Sequence, residues 1–114
     1  MRLFIRCVEG EVRLGPGKIK LLELIDTHGS ISEAARAMNM SYRRAWLLVA
    51  ELNQGFRQPV TEAQTGGKGG GHAVLTAFGH ELVALYRKIE KDAAAAVAGP
   101  MEQLAEQLAV RAEP

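Results

Sequence analysis

At 114 residues, with 47% hydrophobic and 24% charged residues, the chain has the size and composition of one ordinary folded domain, which excludes a disordered segment. No stretch approaches the ~20 consecutive apolar residues that a membrane-crossing helix needs. Charge returns too early in Met1-Arg2-Leu3-Phe4-Ile5-Arg6 for a secretory signal, so a cytoplasmic location is expected. The single Cys7 rules out an internal disulfide and a cysteine-based zinc site, and its apolar neighbours predict a buried strand thiol.

The net charge of +1 conceals an uneven distribution. Between Arg36 and Lys68 five cations (Arg36, Arg43, Arg44, Arg57, Lys68) face two anions (Glu51, Glu62). From Glu90 onward two cations face five anions. A basic middle can bind phosphates even in a nearly neutral molecule.

In chain order, Arg2 to Val8 reads as a strand, and Glu9-Gly10 can turn it into a second short strand, Glu11 to Leu14. Gly15-Pro16-Gly17 opens a helix, in which Ile19, Leu22 and Ile25 keep helical spacing as far as Thr27. His28-Gly29 ends it, with Gly29 suited to the left-handed position past a helix terminus. Ser30 and Glu33 have capping-box spacing and start a short helix, Ile31 to Met38. Asn39 suits a turn that requires positive φ. Ser41 then caps a third helix that runs to about Gln54 and is stopped by Gly55.

Beyond Pro59, strands Val60–Gln64 and Ala73–Leu75 flank the glycine-rich run Gly66 to Gly71. Thr76 caps a final helix whose Phe78, Leu82, Leu85 and Ile89 share one face. Gly99-Pro100 is expected to interrupt this helix, with Met101, Leu104 and Leu108 forming a further apolar helical stretch.

The middle of this series, about Ser30 to Phe78, predicts a winged helix-turn-helix. Ala34 and Ala35 allow close helix crossing, Asn39 supplies the turn, and Ala45, Val49 and Leu52 give the next helix its inner face. The opposite face carries Tyr42, Arg43, Leu47 and Ala50, with Arg44 to one side. Cations at the N-terminal turn of that helix are where a recognition helix meets base edges and phosphates. A generic helix pair with solvated arginines is the plainer alternative. Tyr42 is expected at the surface, within reach of a phosphate or base. Trp46, one residue past the inner-face Ala45, is expected to pack at the margin between this helix and the wing.

The glycine run could be a phosphate-cradling loop, but such a loop needs Gly-Lys followed by Ser or Thr, and Lys68 is followed by Gly69. As the tip of a wing it fits better: glycines allow close approach of the backbone to DNA, and Lys68 can reach a phosphate or the minor groove. His28, His72 and His80 have no ligand spacing, so no metal is expected. No nucleophile-and-base motif points to an enzyme.

The segment from Ser30 to Trp46, then Glu51-Leu52-Asn53, Thr65-Gly66-Gly67-Lys68-Gly69-Gly70-Gly71 and Leu75-Thr76 with Gly79, resembles the N-terminal domain of ModE-type molybdate-responsive transcription regulators. The resemblance covers about Leu14 to Ile89. It is similar, more distantly, to the winged domain of LysR-type regulators. What this implies is a homodimer on a double-stranded DNA operator, with DNA contacts at Ser41, Tyr42, Arg43, Arg44, Thr65 and Lys68. Arg36, Leu47, Gly67 and Gly69 are further candidate contacts. Full-length members carry C-terminal oxyanion-binding domains, for which this sequence leaves no room. No cofactor is therefore expected, and molybdate or a related oxyanion has no support in this chain.

The expected architecture is mainly α with a small β component, a winged helix-turn-helix followed by a long C-terminal dimerisation helix. Residues 1–89 form the DNA-binding domain with an N-terminal hairpin, and 90–114 a helical extension. Leu85, Ile89, Ala93 and Ala96 continue the apolar stripe beyond what a small domain needs, so they are the candidate dimer contacts. The expected function is sequence-specific transcription regulation. The alternatives are a ligand-binding or protein-interaction module on the same scaffold, and a general nucleoid-type binder.

Overall fold

The computed structural model describes residues 2–7, 9, 12–64 and 72–109. Two short strands, β1 (Ile5–Cys7) and β2 (Val12–Leu14), pair antiparallel with Cys7 opposite Val12. Three helices follow: α1 (Pro16–His28), α2 (Ile31–Ala37) and α3 (Tyr42–Gly55). A second antiparallel pair, β3 (Thr61–Gln64) and β4 (His72–Leu75), precedes the 30-residue α4 (Ala77–Glu106). This is the expected winged helix-turn-helix with a long last helix. The strand expected over Arg2 to Val8 shortens to β1, and Cys7 within it is half-buried rather than buried.

Each helix begins where local chemistry dictates. Pro16 occupies the first turn of α1, where its missing N–H costs nothing. Gly29 closes α1 at φ 76°, its N–H donating to the Ile25 carbonyl. The hydroxyl oxygens of Ser30, Ser41 and Thr76 each accept an N–H three residues on, from Glu33, Arg44 and Gly79. Only the Ser30 half of the expected capping box forms among the described residues, and Ser30 also forms an isolated β-bridge with His72. That bridge, with the Ala73 N–H on the Gly29 carbonyl at 2.9 Å, ties β4 to the α1–α2 junction.

The core lies where α1 meets the other elements. Ile19, Leu21, Leu22 and Ile25 of α1 have no exposed surface, and each such side chain contributes about 1.5–3 kcal/mol through removal from water. Ala34 and Ala35 pack from α2, Ala45, Val49 and Leu52 from α3, and Val60, Ala73 and Leu75 from the β3–β4 region. From α4 come Leu82 and Tyr86. The phenol of Tyr86 donates to the Leu3 carbonyl, joining the last helix to the N-terminal segment. Arg87 bonds Glu23 of α1 and Glu90.

α3 ends at Gly55, within a residue of the expectation, and a Cβ there would lie 2.4 Å from a Val12 methyl, so this glycine also allows the close approach of α3 to β2. One expectation is corrected. Gly99-Pro100 does not interrupt α4, which runs through Pro100 to Glu106. Both residues are exposed, so water can satisfy the Ala96 carbonyl that a proline leaves without its donor. The stripe of α4 divides: Leu82 is buried, the candidate dimer contacts Leu85 and Ile89 are 54% and 38% exposed, and the inward position after Leu82 belongs to Tyr86. The expected boundary at residues 89 and 90 falls inside this continuous helix.

Candidate nucleic-acid interface

The helix-turn-helix is built from a few backbone interactions. Beyond α2 the chain reverses through Asn39 at φ 59°, the only positive-φ residue other than glycine among the described residues. The Met40 N–H reaches back to the Ala35 carbonyl at 3.0 Å. Ala34, Ala35 and Ala45 are almost wholly buried, and their small side chains let α2 and α3 pack closely. Ser41 then starts α3, its hydroxyl oxygen accepting the Arg44 N–H at 3.1 Å.

With Ala45, Val49 and Leu52 turned inward, α3 presents Tyr42, Arg43, Arg44, Trp46 and Leu47 to solvent. No acidic residue occupies its first turn. The partial positive charge of the helix N-terminus therefore adds to that of the two arginines. Glu51, further along α3, is held 3.1 Å from Lys18. Among the described residues no carboxylate pairs with Arg36, Arg43 or Arg44. The surface is thus preset for an anionic partner.

The structure brings Arg36 and Tyr42 to the rim of one shallow depression, lined also by Ser32, Ala35, Asn39 and Met40. Ser41, Arg43 and Arg44 lie beside it in the first turn of α3, and Leu47 one turn beyond Arg43. Thr65, Gly67, Lys68 and Gly69 lie outside the described residues. Of the expected wing, β3 and β4 are described and pair from Thr61 opposite Leu75 to Gln64 opposite His72.

Two features escaped the sequence. Trp46, expected to pack at the margin between α3 and the wing, is 50% exposed, so half of its surface is left open to solvent. Its place one residue past the inner-face Ala45 puts it at the edge of the buried face and not within it. Asn53 was quoted only as part of a motif, yet its amide oxygen accepts the N–H groups of Val60 at 2.8 Å and Thr61 at 3.2 Å. Its amide nitrogen donates to the Thr61 hydroxyl at 3.1 Å. The side chain thereby fixes the start of β3 against α3. An Asn four residues after the buried Val49 was the available signal.

This fold, with a capped and cation-bearing third helix followed by a β pair, defines a winged helix-turn-helix protein of the bacterial-regulator class. Residues 17–80 match the model of the bacterial regulatory helix-turn-helix proteins of the lysR family, and the chain belongs to that family. It is 44% identical over 81 residues to the molybdenum-pterin-binding protein MopA of Rhodobacter capsulatus, covering 71% of this chain and 31% of the relative. MopB of the same organism is 44% identical over 91 residues, 75% of this chain and 34% of the relative. The DNA-binding transcriptional dual regulator ModE of Escherichia coli K12 is 46% identical over 71 residues, 62% of this chain and 27% of the relative. The chain spans about a third of the length of these relatives. No helix among the described residues is long and apolar enough to cross a membrane.

Proposed function

We propose that the chain binds a specific duplex operator as a homodimer and regulates transcription, with α3 in the major groove and the β3–β4 wing beside it. The observation that carries this is the first turn of α3: capped by Ser41, free of acids and bearing exposed Tyr42, Arg43 and Arg44 without carboxylate partners. Arg43 and Leu47 face base edges, Ser41, Tyr42, Arg44 and Arg36 hold flanking phosphates, and Thr65, Gly67, Lys68 and Gly69 follow the backbone or minor groove. A binding role in the cytoplasm, without catalysis, accompanies this reading.

The dimer is supported by α4, whose Leu85 and Ile89 continue the core face but remain exposed. Ala93 and Ala96 extend the same side toward Met101 and Leu104, small enough to let a second helix approach closely. Two-fold symmetry then places two half-sites about one helical turn apart or a multiple of it. Relatives named for molybdenum make molybdate the first effector to try, although the chain spans only about a third of their length.

The test is retardation of promoter fragments titrated with salt and unrelated competitor DNA, with and without molybdate. Specific complexes should survive competitor and weaken steeply with salt. Absence of any complex at low salt would sink the operator-binding reading.

A further inference from the structure

Three large side chains of α3 remain uncovered: Tyr42, Trp46 and Leu47 are 53%, 50% and 46% exposed. The core has no use for them, since the inward seam of α3 is complete with Ala45, Val49 and Leu52. Helical geometry fixes where two of them stand. Trp46 lies one turn past Tyr42 and two turns before Asn53, whose amide is bonded to Val60 and Thr61, so it occupies the edge of α3 turned toward β3. Leu47 lies one turn past Arg43, in the middle of the outer face.

An indole at the edge and a leucine at the centre of the outer face of α3 expose apolar surface that gains from being covered by a partner. The surrounding charges identify the cover. Arg36, Arg43 and Arg44 lack carboxylate partners among the described residues, and the first turn of α3 has no acid. The complementary surface is strongly anionic yet has discrete apolar points at the depth a helix reaches. The major groove of duplex DNA fits both conditions, and its apolar points are the 5-methyl groups of thymine.

We propose that Trp46 and Leu47 are specificity-determining residues that read thymine 5-methyl groups in the major groove, beside the hydrogen-bonding Arg43. This rests on the operator-binding reading above and adds to it the chemical identity of part of the site. Preferred half-sites contain thymines that an arginine-only code would not require. Trp46 takes a methyl on the wing side of α3, and Leu47 one under its centre.

The test begins with duplexes selected by the full chain from a random library. In the tightest duplex each thymine is replaced singly by deoxyuridine, which removes the methyl and leaves the pairing intact. At one or more positions affinity should fall about three- to fivefold, the worth of one buried methyl. Trp46→Ala or Leu47→Ala should bind the thymine and uracil duplexes equally at its own position, whereas Trp46→Phe should keep some sensitivity. Both sites are exposed, so circular-dichroism melts of the variants should match the parent. If the selected duplex is held over scrambled competitor but no deoxyuridine weakens it, methyl reading falls and operator binding stands. If parent and both alanine variants lose equally to deoxyuridine, the methyl acts elsewhere or through DNA shape, and the proposal falls. If no duplex can be selected, both readings fall together.

Discussion

The carbonyl oxygen of Val60 occupies the place where a side chain on Gly79 would begin: a Cβ there would lie 2.1 Å from it. The same oxygen accepts the Thr76 N–H at 3.0 Å, while the Thr76 hydroxyl donates to the Pro59 carbonyl at 2.6 Å and accepts the Gly79 N–H. The Leu-Thr-x-x-Gly element is therefore a clamp. Thr76 starts α4 and holds the strand-entry segment, and Gly79 lets that segment come close.

Gly79→Ala should lower stability by about 1–3 kcal/mol, since backbone must move to admit the methyl. Gly17→Ala is the control: its Cβ would meet nothing within 4 Å, so it should be neutral or stabilising by up to about 1 kcal/mol. Urea midpoints of the two variants check the pair, and equal midpoints would remove the steric argument.

Asn53→Ala leaves the Val60 and Thr61 N–H groups without their acceptor and should cost about 1–3 kcal/mol. Asn53→Asp keeps an acceptor oxygen, and the Thr61 hydroxyl can turn to donate to it, so the loss should be smaller. Thermal melts distinguish the two. An alanine variant as stable as the parent would mean that water replaces the clamp.

Features that depend on neighbours a few residues apart were legible in the sequence. Ser30, Ser41 and Thr76 cap helices, Gly29 and Asn39 take left-handed angles, and Ala45, Val49 and Leu52 turn inward, each for a local reason. What was not legible depends on contacts distant in sequence. Tyr86 finds the Leu3 carbonyl 83 residues away, and Arg87 finds Glu23 at a separation of 64. Gly55 was readable as the end of α3, but its close approach to Val12, remote in the chain, was not. Pro100 looked like a break because its tolerance depends on solvent exposure, which local pattern does not report. At the site, the cations and the turn were readable, whereas the degree of exposure of Trp46 was not, because a place one residue past the inner face fits cover and exposure alike.

Tyr86 links stability to alkaline pH. Burial first, and the Glu90 carboxylate second, push its phenol above the ordinary 10.0, against the opposing pull of Arg87 and Arg2. Between the unfolded and the folded value the unfolded chain binds fewer protons, so stability falls as pH rises. The contribution is fully present below pH 10 and is lost as the pH climbs through the raised folded value. Tyr86→Phe should cost about 1 kcal/mol at neutral pH and flatten that alkaline decline. Denaturant titrations between neutral pH and the alkaline range measure both effects, and an unchanged alkaline slope in the variant would assign it to other groups.

Arg43 and Lys68 should separate base reading from charge. Arg43→Ala is expected to lower affinity for a selected duplex by about 1–3 kcal/mol while affecting random DNA much less. Lys68→Ala should weaken both about equally and reduce the salt slope by about 1. Fluorescence anisotropy over a salt series gives both quantities. Equal loss on the two DNAs for Arg43→Ala would move that residue to the phosphate backbone.

The proposed dimer is tested at Ile89, 38% exposed and one turn beyond the 54% exposed Leu85 on a helix whose inward residues are Leu82 and Tyr86. Because the monomer core does not need it, Ile89→Glu should leave helicity and the melting midpoint of the isolated protomer close to those of the parent. A carboxylate buried in a helix–helix seam has no partner there and is strongly disfavoured, so association should weaken by at least tenfold. Sedimentation equilibrium should show a shift toward monomer. On DNA the loss should be confined to duplexes carrying two half-sites, with a single half-site bound as by the parent, since α3 is untouched. Leu104→Glu, farther along α4, asks how far the contact extends: a similar loss places the seam along the whole helix, and no loss confines it to the part nearest the core. If Ile89→Glu leaves both the sedimentation behaviour and the two-site affinity unchanged, α4 is not the dimer handle. Its exposed stripe would then have to be covered by some other surface.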